Sequence, residues 1–357
     1  MARLAKKALL VAGGTLVALL LLELALRVVG YDPLAEMKDG RELFLRAAPG
    51  DLGYELTPGA RGFAWGTDVV VNEGGYVGPY RSPGEFAGHR IVVLGDSVTF
   101  GNKLPYAATY PALMQEKLDP TATQVEVLNF GVGGYDILQY VAMLEARLEM
   151  YPPDVVVVGY CLNDICVIGL NPKYIEDLEY YSSSALFRSR LAQLVASRID
   201  RLRFKRWFEE QNSNDEFMRA FADRMIPVTY DDLELRDLVK SLPEDYPANF
   251  YKSIPHLSRL RYCLRRLAIL ARQHDFRVVL AIIPYDERED GEWKHQRVHQ
   301  LVRLEAERAG LEVLDLADAF ATDSESLFLD PVHPNAAGHR ILAEQITRAV
   351  RGDNREQ

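Results

Sequence analysis

Ser97 and His333 are the two side chains of this sequence whose types and surroundings suggest covalent chemistry. Ser97 ends the stretch Ile91-Val92-Val93-Leu94-Gly95-Asp96-Ser97. Four apolar residues running into a small-residue turn read as a buried parallel strand. In open α/β sheets, ligands bind at the carboxyl ends of the strands. A serine hydroxyl there is a candidate nucleophile if a base can reach it. A candidate base lies far downstream, in Asp330-Pro331-Val332-His333-Pro334. Taken alone, the plainer reading of Ser97 is a helix N-cap.

Two further segments weigh against the plain reading. Val125 to Leu128 reads as a second strand and runs into Asn129-Phe130-Gly131-Val132-Gly133-Gly134-Tyr135. Asp154 to Val158 reads as a third and runs into Gly159-Tyr160-Cys161-Leu162-Asn163-Asp164. Singly, Gly134 would be a turn glycine and Asn163 a helix cap. Together, three strand ends present Ser, Gly and Asn in order, and a late Asp-x-x-His closes the set.

That order resembles the SGNH hydrolase superfamily, also called GDSL-type esterases and lipases. Gly95-Asp96-Ser97 matches its first block, Gly134 the second, Asn163 followed by Asp164 the third, and Asp330 with His333 the last. The resemblance spans about Ile91 to Val350, with the middle unmatched. It departs in the third block, where the family often has Gly-x-Asn-Asp. Cys161 occupies that glycine's place, which predicts a longer third strand.

The resemblance implies roles. Ser97 would attack an acyl carbonyl, His333 would move the proton, and Asp330 would hold the imidazole tautomer and stabilise its charged form. The oxyanion would meet the backbone N–H of Ser97, the backbone N–H of Gly134 and the side-chain amide of Asn163. Asp96 is expected to cap the helix or brace the loop rather than react, and Asp164 is a similar candidate. His339 is read as structural. The implied activity is that of a serine esterase acting on acyl groups of glycans or lipids, with no cofactor. An O-acyltransferase using the same acyl-enzyme, or a non-catalytic binding protein on the same fold, are the alternatives. Acyl chain, alcohol and oligomeric state leave no readable signature.

These residues need a frame that brings distant strand ends together. From His89 onward the chain alternates strand and helix patterns: helices around Pro111 to Leu118 and Ile137 to Glu149, strands at Phe276 to Ile283 and Glu312 to Leu316, and a closing helix from Ala336 to Val350. Alternating βαβ units imply a parallel sheet covered on both faces. The expected fold is α/β, a flavodoxin-like doubly wound sheet. Residues 31–89 are expected to be a juxtamembrane connector and a small β extension, with Val69-Val70-Val71 entering a turn. Residues 90–357 would form the hydrolase, with 170–275 a largely helical insertion. Within it, Ala185 to Phe208 carries Arg188, Arg190, Arg198, Arg201, Arg203, Lys205 and Arg206 against the single acid Asp200. Leu191, Leu194, Val195, Ile199 and Leu202 recur there at helical spacing. The plain reading is a cap helix on the hydrolase with solvated arginines. The functional reading is a basic surface for anionic lipid or an acidic glycan.

Residues 1–30 differ in kind. Arg3, Lys6 and Lys7 precede an apolar run from Ala8 to Val29 interrupted by Glu23 and Arg27. As a helix this run would be roughly 33 Å long, enough to cross a bilayer core. Glu23 and Arg27, four apart, can pair on one face. The basic flank predicts a cytoplasmic N-terminus and an extracytoplasmic hydrolase, in a bacterial inner membrane facing the periplasm. A cleaved signal peptide fits less well, because Leu22-Glu23-Leu24-Ala25-Leu26-Arg27 is a poor cleavage site.

The chain has 357 residues, 48% of them hydrophobic, which is ample for a core. A formal net charge of −10 makes nucleic acid an unsuitable partner. Three cysteines are too few for a disulfide framework. Cys161 and Cys166 are expected to be buried free thiols rather than a bridge. No CxxC spacing occurs, and no metal site is expected.

Overall fold

The computed structural model describes residues 2–31, 45–167, 184, 188–226, 233–289, 291–321 and 326–352. Most of the expected connector, and residues 170–183, 185–187 and 227–232 of the expected insertion, lie outside them. Helix α1 (Ala2–Val28) comes first, then two hairpins, β1 (Leu45–Ala47) with β2 (Tyr54–Leu56) and β3 (Arg61–Ala64) with β4 (Thr67–Val70). Next follow β5 (His89–Gly95), the one-turn helix α2 (Ser97–Phe100), α3 (Tyr110–Leu118), β6 (Val125–Asn129), α4 (Ile137–Arg147) and β7 (Val155–Cys161). A helical stretch holds α5 (Arg190–Gln211), α6 (Asn214–Phe221), α7 (Leu233–Ser241) and α8 (Ile254–His274). The chain finishes with β8 (Arg277–Ile283), a short ribbon of β9 (Arg288–Glu289) and β10 (Glu292–Trp293), α9 (Gln296–Ala309), β11 (Glu312–Asp315) and α10 (Ala336–Arg351).

Five strands make one parallel sheet in the order β11-β8-β7-β5-β6. Read from the other edge this is the flavodoxin-like order 2-1-3-4-5 expected from the sequence. Every residue of β7 is buried, as are six of the seven in β5 and in β8. Strands covered on both faces need continuous apolar sequence, and Val155-Val156-Val157-Val158 supplies it. β7 also runs to Cys161, three residues beyond the Val158 end suggested by its apolar run, in line with the departure in the third block. The fold places its switch point beside β5, whose neighbours are β6 and β7. The segments after β5, β6 and β7 therefore leave adjacent strand ends.

His333 comes from the loop after β11, at the opposite edge. Helix α10 resolves that distance by crossing back to pack on α3. His339 of α10 is buried there, and its Nδ1 accepts the Tyr110 backbone N–H at 3.0 Å. Asn335 caps α10, accepting from the N–H groups of Ala337 and Gly338. The loop that precedes this cap is thereby delivered over the end of β5. His339 is structural, as expected, and burial lowers its imidazole pKa to about 3, so it serves as a neutral acceptor.

The two hairpins share the core of the sheet rather than forming a separate one: Leu52, Tyr54, Leu56, Val69 and Val71 are buried with it. Tyr135 donates to the Tyr54 carbonyl at 2.5 Å, Gln139 to that of Leu52 at 2.8 Å, and Tyr54 to that of Gly133 at 2.9 Å. The second block is thus clamped from the N-terminal side. Arg259 of α8 clamps it from the other. This fully buried guanidinium donates to Asp136, the N-cap of α4, at 3.2 Å and to the Ile165 carbonyl at 2.7 Å. One cation ties the segment after β6 to the segment after β7.

Removing one partner of a buried ion pair leaves the other charge uncompensated. Arg259→Leu is expected to destabilise the protein by about 3–5 kcal/mol in denaturant unfolding, and a loss below about 1 kcal/mol would show that the pair does not hold these segments.

Candidate active site

The turn after β5 is built by a capping aspartate. Asp96 is the N-cap of α2, accepting the Val98 backbone N–H at 2.9 Å, and Ser97 is the first helical residue. The plain reading of Ser97 as N-cap therefore fails, because its neighbour holds that position. Close packing fixes the turn: a Cβ on Gly95 would come within 1.9 Å of Thr99 Oγ1, which bonds the Tyr110 hydroxyl at 2.7 Å.

Ser97 Oγ lies 2.9 Å from His333 Nε2. His333 Nδ1 lies 2.8 Å and 2.9 Å from the two carboxylate oxygens of Asp330. A carboxylate only accepts, so Nδ1 carries the ring proton and Nε2 is left to accept from the hydroxyl. Asp330 also turns its own loop, accepting the backbone N–H groups of Val332 and His333 at 3.1 Å and 3.0 Å. Beyond the loop, the Asp286 N–H donates to the Pro331 carbonyl at 2.8 Å. The three residues expected to act together are in one hydrogen-bonded row.

The segment after β6 lies against α2. Asn129 donates to the Thr99 carbonyl at 2.9 Å and accepts the Gly131 N–H at 2.9 Å. Val132 N–H donates to the Gly95 carbonyl at 3.1 Å. A Cβ on Gly133 would sit 4.0 Å from Ser97 Cβ, so the main chain passes beside the serine. Gly134 has φ +80°, in the left-handed region that favours glycine. After β7, Asn163 lies inside a 3₁₀ turn, Leu162–Ile165, rather than capping a helix. Its Oδ1 is buried with no hydrogen-bond partner among the described residues. An orphaned buried amide oxygen calls for an explanation beyond packing.

Beneath Ser97 sits a buried acidic layer. Cys161 Sγ donates to Asp96 at 3.4 Å, and Cys161 N–H donates to Asp164 at 2.7 Å. Burial pushes the pKa of Asp96 up against the pull of the Val98 N–H. Burial also raises the pKa of Asp164, helped by the negative charge of Asp96. The Cys161 thiol is likewise raised by burial and by Asp96. Cys161 and Cys166 are both free and buried, as expected. The cysteine in place of the family glycine thus serves as a donor to the aspartate that caps the serine turn.

Two neighbours escaped the sequence reading. Lys103 Nζ donates to Asp330 Oδ2 at 2.8 Å. Trp65, at the tip of the β3–β4 hairpin, accepts the Lys103 N–H on its carbonyl at 2.8 Å and packs edge-on against Phe100 at 4.9 Å. Trp65 has φ +51° and Lys103 φ +66°. Left-handed backbone in a bulky residue is strained, and such strain gathers at functional sites. A lysine in a turn and a tryptophan in a hairpin carry no sequence pattern that marks them. Only the fold brings them to Asp330 and α2.

Partial burial raises the Asp330 pKa, but Lys103 and the donors from His333 outweigh it and hold the carboxyl well below the usual carboxylate range. A depressed folded pKa stabilises the fold above the unfolded value, about 3.9, and that stability is lost as pH falls through the folded value. The thermal midpoint of wild type should therefore exceed that of Asp330→Asn at neutral pH, and the gap should close as pH falls below about 4. A gap unchanged by acid would rule out this linkage.

The sequence model described as the GDSL-like Lipase/Acylhydrolase family matches residues 93–341. An arylesterase of Vibrio mimicus is 30% identical over 89 residues, which are 25% of this chain and 44% of that protein. The match thus spans less than half the length of that relative. Among solved structures, an α/β hydrolase enzyme called LAE5, from the metagenome of Lake Arreo in Spain, is 18% identical with a TM-score of 0.41, covering 75% of this chain and 96% of that one. A variant of Axe2, an acetyl xylan esterase from Geobacillus stearothermophilus, is 18% identical with a TM-score of 0.39, covering 74% and 95%. With the family match running from β5 into α10, the chain belongs to the GDSL-like lipase/acylhydrolase family.

Proposed function

We propose that the protein is an envelope-anchored serine esterase whose nucleophile is Ser97, with His333 as general base and acid and Asp330 as its orienting carboxylate. The observation that carries the reading is the row Ser97 Oγ, His333 Nε2, His333 Nδ1, Asp330, with each contact at 2.8–2.9 Å. In the acylation step the Ser97 oxygen bonds to the acyl carbon while its proton passes to Nε2. The ester bond then breaks, and the alcohol leaves with that proton. Water repeats the sequence in deacylation, giving its proton to Nε2 and releasing the acid and the free serine. Asp330 keeps the ring in the tautomer this needs and stabilises the imidazolium.

The negative carbonyl oxygen would be met by the N–H groups of Ser97 and Gly134 and by the Asn163 amide. The left-handed Gly134 supports a main chain free to approach substrate, and the place of Asn163 in the turn that follows β7 supports its amide as the third donor. Acyl groups on envelope glycans or lipids are the proposed substrates.

The anchor would be α1. It is long and apolar enough to cross a membrane, and no residue of its most apolar stretch is fully buried in the protein. Glu23 and Arg27 pair within it at 2.7 Å, as expected from their spacing. With Arg3, Lys6 and Lys7 on the cytoplasmic side, residues 31–357 lie outside, and residues 90–357 form the hydrolase.

A serine-reactive aryl phosphonate is expected to label wild type at Ser97 and to leave Ser97→Ala unlabelled; equal labelling of both would remove Ser97 from the chemistry. His333→Ala should lower kcat for an aryl ester by about 10²–10⁴. Asn163→Ala should lower it by about 10²–10³ with little change in KM, as expected for a donor that acts in the transition state. Undiminished kcat in either folded variant would overturn that residue's assignment.

A further inference from the structure

Helix α5 turns an apolar stripe outward over part of its length, although Ala196 is buried and Phe208 packs against the core. It buries Gln193, Ser197 and Asp200, which are 4%, 6% and 8% exposed. It leaves out Val195, Ile199 and Leu202, which are 53%, 43% and 70% exposed. The outward residues are spaced i, i+4, i+7 and so form one stripe. The plain reading of a cap helix explains the solvated arginines but not this stripe, since a surface helix turns its apolar side to the core. Arg198, Arg201, Lys205 and Arg206 are also exposed and share or flank the stripe.

The start of α5 is fixed to α1. Glu23 accepts from the Ser189 hydroxyl at 2.9 Å and from the backbone N–H groups of Arg190 and Leu191 at 3.1 Å and 2.8 Å. Arg27 donates to the Arg188 carbonyl at 2.7 Å. Glu23 lies five residues before the end of α1 at Val28, about 8 Å along the axis. In the anchored orientation the Glu23–Arg27 pair lies near the outer interface, on the hydrolase side. The polar pair inside the apolar helix therefore has a use: it holds the first turn of α5 at the membrane surface.

We infer that α5 lies in the bilayer interface, its Val195–Ile199–Leu202 stripe entering the headgroup boundary and its arginines and Lys205 engaging anionic phospholipid. An exposed apolar stripe rimmed by basic residues is the composition of interfacial helices. The basic side chains complement anionic headgroups, and the junction at Glu23 makes the surface continuous with the span. The inference rests on the anchor reading above, and it would hold the hydrolase close to the membrane rather than on a free tether.

The test uses the full chain in nanodiscs of equal parts phosphatidylcholine and phosphatidylglycerol. The three native cysteines are buried, so a thiol dye reports single added ones. Leu202→Cys probes the stripe, Leu16→Cys the span, and Glu307→Cys on α9 is the remote control. Lipid spin-labelled near the headgroup should quench the dye at residue 202 by about twofold or more relative to residue 307. Phosphatidylcholine alone, or Arg198→Glu with Arg201→Glu and Arg206→Glu, should weaken that quenching while aryl-ester turnover is unchanged. Residue 16 should be quenched by chain-centre spin labels. Quenching at 16 but not at 202 would overturn the inference and leave the anchor standing. A dye at 202 shielded from aqueous iodide yet blind to lipid labels would mean a protein cover, and would overturn it too. No quenching at 16 would overturn the anchor reading and this inference with it.

Discussion

The Asp330 carboxylate is the point on which the geometry turns. It accepts its own loop's N–H groups at Val332 and His333, the ring proton of His333 and the ammonium of Lys103. Without the loop contacts the imidazole would not face the serine. Without the ring contact Nε2 would not be fixed as the acceptor. The donors crowding one carboxylate also keep it ionised, as the role proposed for it requires. Lys103 is half exposed, so solvent screens its charge, and its contribution is small beside the geometric one. Its backbone matters in another way. Through the Trp65 carbonyl it joins the N-terminal hairpin to the final loop of the sheet.

That carboxylate would be of no use at the edge of the sheet where β11 ends. The packing of α10 on α3 moves it to β5, and the contact is made by a buried neutral histidine against a backbone N–H. A charged imidazole there would lack a compensating partner, and burial disfavours it. The site thus depends on a polar contact outside the hydrogen-bonded row itself. The same holds for Arg259, which fixes the segments carrying Gly134 and Asn163 relative to each other through one guanidinium.

Strand patterns and the short blocks after them were legible because both are local. Four apolar residues before Gly95 fix a buried strand, and strand order then follows from the handedness of crossovers. The pairing of Ser97 with His333 across 236 residues was legible only through resemblance, since no local pattern encodes it. The capping role of Asp96 could be read from its place before a turn of helix. Lys103, Trp65 and Arg259 could not be read, because their roles exist only once distant segments meet. The apolar spacing in α5 was legible as a helix. Which side it presents was not, because periodicity gives a stripe and leaves open what lies against it.

A last question is why Asp96, next to the serine, would not compete with His333 for its proton in the proposed chemistry. Distance decides first. Ser97 Oγ is 3.4 Å from Asp96 Oδ2 and 2.9 Å from His333 Nε2, and 3.4 Å is beyond the usual range for an O–H donor. Chemistry decides second. Asp96 already accepts from Val98 N–H and from the Cys161 thiol, both on Oδ1. Burial disfavours its ionised form, the only form able to take that proton. The thiol can sit there because β7 extends to Cys161, where the family often has a glycine with no side chain to offer. The departure in the third block is therefore compatible with the serine's chemistry: it adds a donor on the far side of Asp96 and leaves the face toward His333 open.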